Sequence, residues 1–168
     1  MTTSETGISP ERADLLETLR RHRGFLLYTV RDLTDEQAAQ RTTVSELCLG
    51  GLIKHVAATE RGWMRFAVGG AAAMQSEPVD WVNGFRMTEG ETLAGLLDFY
   101  AGVAEETDGL VTKLDLDTAH PLPEAPWFEP NKTWSVRRVL LHLIAETSQH
   151  AGHADILRES IDGAKTMG

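Results

Sequence analysis

The chain has 168 residues, 42% hydrophobic and 24% charged, which suits one domain with a buried core, read here as residues 1–168. A formal net charge of −9 argues against nucleic acid and against an anionic membrane surface, both of which need a basic face. The single cysteine, Cys48, excludes an internal disulfide and a cysteine-based zinc cluster, and is read as a small buried apolar residue.

The opening segment, MTTSETGISPER, has neither a basic stretch nor an apolar run, and no segment approaches the roughly 20 apolar residues of a membrane span. A cytoplasmic location is expected. Ser9-Pro10-Glu11 reads as a helix start, with a capping hydroxyl followed by proline where its missing N–H does no harm. Leu15, Leu16, Leu19, Leu26, Leu27 and Val30 continue at helical spacing to about Asp32.

Leu33-Thr34-Asp35 predicts a cap and a short helical turn. Ser45 and Glu46 predict the start of a second long helix, running to about Val68. Its apolar stripe holds Leu49, Leu52, Ile53, Val56, Trp63 and Phe66. His55 falls on the stripe side, and Lys54, Glu60 and Arg61 on the polar side. Gly50-Gly51 interrupts the helix and suggests a close helix crossing.

Residues 69–87 read as a loop, with Gly69-Gly70, Pro78, Asn83-Gly84 and the aromatics Trp81 and Phe85. Thr88-Glu89-Gly90-Glu91 predicts a capping box for a third helix carrying Leu93, Leu96, Leu97, Tyr100, Val103, Leu110 and Val111. A second loop, residues 115–132, has four prolines, Trp127 and Phe128, and no strand pattern is evident there. Trp134-Ser135 caps a last helix that runs to about Ile161, with Gly163 as its stop. Long amphipathic helices with no strands predict an all-α four-helix bundle, with long loops between helices two and three and between three and four. The exposed loop aromatics suggest a homodimer contact or the lip of a site.

The last helix carries His142, Glu146, His150 and His153 at spacings of four, four and three, all on one side. A carboxylate there is costly to bury without a partner, and a metal ion is one such partner. His142 and His150 lie about 12 Å apart along the helix and cannot share an ion. The spacing leaves two pairs open, His142 with Glu146 or Glu146 with His150, with His153 as a further candidate beside the latter. His55 is the candidate ligand from the second helix. A serine followed by an apolar stretch ending in histidine occurs in both helices, which suggests that they are equivalent.

Two segments carry a family resemblance. They are Leu49-Gly-Gly-Leu-Ile-Lys-His55-Val-Ala and Leu141-His142-Leu-Ile-Ala-Glu146-Thr-Ser-Gln-His150-Ala-Gly-His153-Ala-Asp155-Ile-Leu-Arg158-Glu159. Together they resemble the DinB-like (YfiT-like) family of metal-binding four-helix bundles. The glutamate at 146 is similar to the actinobacterial branch that includes mycothiol S-transferases and the N-terminal domain of mycothiol-dependent maleylpyruvate isomerase.

The resemblance implies a divalent metal on His55, Glu146 and His150. It implies zinc first, with nickel, iron or manganese as alternatives. His142 is then not a ligand. The implied activity is S-transfer, in which a low-molecular-weight thiol such as mycothiol attacks a small electrophile. Where many relatives read H-R-G-Q, this chain reads His150-Ala-Gly-His153, so His153 is expected to act on the substrate as a catalytic group. Asp155 and Arg158 are expected to hold polar parts of the substrate. The alternatives are a metal-dependent hydrolase and a non-catalytic metal-binding stress protein.

Overall fold

The computed structural model describes residues 7–167. It contains five helices: α1 (Pro10–Tyr28), α2 (Asp35–Ala39), α3 (Leu49–Met74), α4 (Leu93–Val111) and α5 (Val136–Asp162). The four long ones form the all-α bundle. Helix α5 packs on α1 and α3, α3 packs on α4, and α4 meets α1, so α1 and α3 face each other across a diagonal.

Two apolar clusters fill the interior. One joins Leu26 and Val30 to Leu52, Val56, Leu96 and Leu157. The other joins Leu16 and Leu19 to Trp63, Phe66, Val111, Val139 and Leu143. The first half of α1 therefore sits beside the first half of α5, and the first half of α3 beside that of α4. The chain runs up, down, down and up. Because α3 and α4 run the same way, the segment between them must return along α3, which explains its length.

Several boundaries agree with the sequence reading. Ser9 accepts a hydrogen bond from the Arg12 amide with Pro10 at the first helical turn, and Thr34 forms a full capping box over α2. Ser135 accepts from the Arg138 amide, and Gly163 closes α5 in the left-handed region at φ 78°.

Others differ. Helix α3 starts at Leu49, not near Ser45, because the Ser45 hydroxyl accepts from the Leu47 amide and holds a turn there. The serine echo between α3 and α5 is thus not structural, since of Ser45 and Ser135 only Ser135 caps a helix. Gly69-Gly70 does not end α3. The chain kinks at Gly70 (φ 72°) and continues to Met74. Glu91 reaches back to the Thr88 amide as a capping-box acid does, but the helix begins later, with Thr92 accepting from the Gly95 amide.

The loop of residues 115–132 holds a strand that the sequence reading missed. Strand β1 (Ala119–Pro121) pairs antiparallel with β2 (Thr133–Ser135), His120 facing Trp134. Three residues are too few for a periodic signal, and a proline is tolerated at a strand end.

Glu60 is the other correction. It is buried, not on the polar side, and forms a two-pronged ion pair with Arg23 at 2.5 and 3.0 Å. Arg23 also donates to Asp108 at 2.8 Å, so three helices meet at one guanidinium.

Candidate metal centre

Helices α3 and α5 are neighbours, and each lends one face to the site. The apolar stripe of α3 turns His55 toward α5, where Glu146 and His150 stand one turn apart. His55 Nε2 lies 2.9 Å from Glu146 Oε1, and His150 Nε2 lies 3.2 Å from the same oxygen. The imidazole centroids of His55 and His150 are 4.9 Å apart at 77°. All three donor atoms fall within 4.8 Å of one another.

This donor set fits a divalent ion. Ligand bonds of about 2.0–2.2 Å place tetrahedral donors about 3.3–3.6 Å apart, between the 2.9 Å of the closest pair here and the 4.8 Å that spans the set, so shifts of about 1 Å separate the present arrangement from a coordinating one. Two imidazoles and one carboxylate match the borderline chemistry of zinc and its neighbours. Hydrogen bonds, first from His150 and then from His55, hold the Glu146 carboxyl well below the usual carboxylate range. The side chains are 22%, 21% and 12% exposed for His55, Glu146 and His150, so one side of the trio opens to solvent.

His153 stands behind the trio. Its Nδ1 lies 3.3 Å from Nδ1 of His150. If His150 ligates through Nε2, its Nδ1 carries the proton and donates to His153. That bond fixes both the tautomer and the ring angle of His150.

His142 lies outside the trio. It packs against Trp63 and Trp134 at centroid distances of 5.0 and 5.2 Å, and burial pushes its pKa down, favouring the neutral ring. Spacing had left His142 and His150 open as partners for Glu146, and the rings of His150 and His55 are the two that meet its carboxylate.

The residues expected to hold substrate have other partners. Arg158 is buried and donates to the carbonyls of Thr29 and Arg31 at 2.8 and 2.7 Å, and to Asp162 at 2.9 Å. Asp155 accepts from the Thr166 amide at 2.7 Å. Arg158 fastens α5 to the segment that follows α1, and Asp155 fastens it to the segment that follows α5.

Phe85 was not singled out by the sequence as a site residue. Its ring stacks on His55 at a centroid distance of 3.9 Å and 22°. The only hint was Gly50-Gly51 one turn before His55, read as a helix crossing. The close approach at these glycines is made by residues 85–87 of the connecting segment.

Fold and trio together define a helical bundle with a two-histidine, one-carboxylate candidate metal centre. The sequence model of one family, mycothiol S-transferase, matches residues 14–163. The chain belongs to the mycothiol S-transferase family. Comparison with curated proteins gave no match. No helix among the described residues is long and apolar enough to cross a membrane.

Proposed function

We propose that this protein is a divalent-metal-dependent transferase that joins a low-molecular-weight thiol, mycothiol or a close analogue, to a small electrophile. The observation that carries the reading is the convergence of His55, Glu146 and His150 from two helices, in a chain whose family transfers mycothiol. These three residues hold the ion, with zinc first and nickel, iron or manganese as alternatives. A bound divalent ion lowers the pKa of a ligating thiol below its free value near 8.5 and so supplies a thiolate at neutral pH.

The chain's own groups do the rest. Glu146 brings one negative charge to the ion, and the neutral rings of His55 and His150 complete the protein's share. His153 orients His150 by accepting the His150 Nδ1 proton; in that neutral tautomer His153 Nε2 carries its own proton, which is proposed to pass to the leaving group, while the thiol proton passes to solvent. The sulfur then bonds to the electrophilic carbon as the leaving group departs with its electron pair. Asp155 and Arg158, expected to hold substrate, instead fasten the C-terminal part of α5 in this proposal. Trp81 and Trp127, both exposed and 6.0 Å apart, are proposed as a homodimer contact.

Elemental analysis of natively purified protein, followed by thiol-dependent turnover with the identified metal, tests the reading. Stoichiometric metal with turnover that requires mycothiol supports it. Metal-dependent hydrolysis without thiol moves the assignment to a hydrolase, and a metal-loaded protein inert toward a broad electrophile panel makes it a non-catalytic binder.

A further inference from the structure

The geometry points to Phe85 as a positioning residue for the candidate metal centre, set in place by the missing side chain at Gly51. This rests on His55 being a metal ligand, as proposed above.

Gly51 and His55 are four residues apart on α3, so they lie one above the other on one face of the helix. The backbone of residues 85–86 crosses that face at Gly51. A methyl group added there would lie 1.9 Å from the Phe85 carbonyl oxygen, 2.3 Å from its carbon and 2.8 Å from the Arg86 nitrogen. These are backbone atoms, which cannot swing aside as a side-chain tip can. From this seat the Phe85 ring covers the imidazole of His55, nearly parallel to it, and reaches His150 at 6.0 Å.

The seat is held from several directions. Lys54, beside His55, donates to the Arg86 carbonyl at 3.4 Å and pairs with Glu91 at 2.7 Å. The Cys48 thiol stands 3.8 Å from the Phe85 carbonyl oxygen. Upstream, the Asp80 carboxylate accepts from the amides of Val82 and Asn83, which fixes the turn leading into Phe85. Met87 fills the space over Gly50, where an added methyl would meet its sulfur at 2.2 Å.

An imidazole on a helix can rotate about its side-chain bonds. A ring laid flat against it removes that freedom without competing for either nitrogen. His150 is held by His153 through a hydrogen bond. His55 has no such partner at its Nδ1 among the described residues, so the stacked ring is the device that remains to fix its orientation.

Zinc affinity, measured by competition with a chromophoric chelator, tests this. Gly51→Ala and Phe85→Ala are each expected to weaken zinc binding by about 10-fold or more, the size of effect that residues supporting a ligand have. Phe85→Tyr keeps the flat ring and is expected to stay near the parent. A second readout needs no metal. In the zinc-free protein the His55 ring protons should resonate upfield under the Phe85 ring current, and Phe85→Leu should abolish that shift. Phe85 is 38% exposed, so its replacement leaves the core intact if Gly51→Ala fails to fold. Parent-like affinity in Phe85→Ala, or no ring-current shift in the parent, overturns the inference while leaving the metal reading standing. A parent that takes up no zinc or other divalent ion removes the metal reading, and the role of Phe85 with it.

Discussion

Replacing Arg23 by methionine strands a carboxylate. In the intact protein the Arg23 side chain is 5% exposed and that of Glu60 is 1% exposed. Glu60 takes both prongs of its ion pair from this one guanidinium, at 2.5 and 3.0 Å. Arg23 has a further partner in Asp108, at 2.8 Å, and Asp108 also pairs with Arg20 at 2.7 Å. The network is therefore lopsided. Without Arg23, Asp108 keeps Arg20 and is itself 22% exposed, whereas Glu60 keeps no cation among the described residues. Without the charge on Glu60, Arg23 keeps Asp108.

Breaking a buried pair by removing one member costs about 3–5 kcal/mol when the other charge is left uncompensated. That range applies to Arg23→Met. For Glu60→Gln the loss is nearer that of charged hydrogen bonds, about 1.5–3 kcal/mol. In a chain of this size each kcal/mol moves Tm by about 2–4 °C, so Arg23→Met is expected to melt about 6–20 °C below the parent and Glu60→Gln roughly half as far. The double variant Arg23→Met, Glu60→Met removes both charges and should be more stable than Arg23→Met alone. Urea and thermal unfolding at neutral pH measure all three. If Glu60→Gln costs as much as Arg23→Met, or the double variant is no more stable than Arg23→Met alone, the lopsided network is the wrong description.

Four further outcomes are expected. Zinc at 100-fold over its Kd should stabilise the protein by about 2.7 kcal/mol, or roughly 5–11 °C in Tm, and His55→Ala or His150→Ala should abolish that gain in a scan with and without chelator. In metal-free protein the depressed Glu146 carboxyl contributes stability above its unfolded value, near 4.3, and loses it as pH falls through its lower folded value; Glu146→Gln should therefore flatten the acid limb of a stability–pH curve. His153→Ala should hold metal at saturating concentration yet lose thiol-transfer rate by about 10²-fold, the low end for a proton-transfer group, whereas Glu146→Ala should lose metal and rate together, as metal analysis beside the kinetics will record. Sedimentation at tens of micromolar, on the order of assay concentrations, should give a dimer for the parent and a monomer for Trp81→Ala with Trp127→Ala.

The legible parts of this fold were those with a local chemical cause. Ser9-Pro10, Ser135 and Gly163 mark helix ends because each acts on the backbone beside it. Glu60 was misread because its partner is 37 positions away, and a charged residue beside Arg61 looks like a solvated face until Arg23 is placed opposite. The start of α3 was misplaced for a related reason, since Ser45 offers the backbone a turn as readily as a cap. The trio was half legible. Helical spacing supplied Glu146 with either His142 or His150, and the family resemblance made the choice. Phe85 left no periodic signal because it reaches the site from a connecting segment, and its position depends on what Gly51 lacks.

Arg23, Glu60 and Thr147 are buried at one level of the bundle, next to the candidate centre. Arg23 falls between Leu19 and Leu26 on α1, Glu60 between Ala57 and Trp63 on α3, and Thr147 between Leu143 and Ala151 on α5, so each interrupts the two apolar clusters at the same height. Tyr100 on α4 lies at this level too, where burial, and after it the charge of Glu60, push its phenol well above the ordinary range. An apolar waist would let α3 slide against its neighbours by exchanging one leucine contact for another. A two-pronged ion pair across the α1–α3 diagonal does not permit that, because a shift of one turn leaves two charges buried without partners. His55 is five residues before Glu60, about 7.5 Å along α3, and Glu146 immediately precedes Thr147. The register that the ion pair imposes on α3 is therefore the register in which His55 meets Glu146 and His150. The charges buried at the waist cost desolvation, and what they supply in return is the fixed approach of two helices at the point where three ligands must converge.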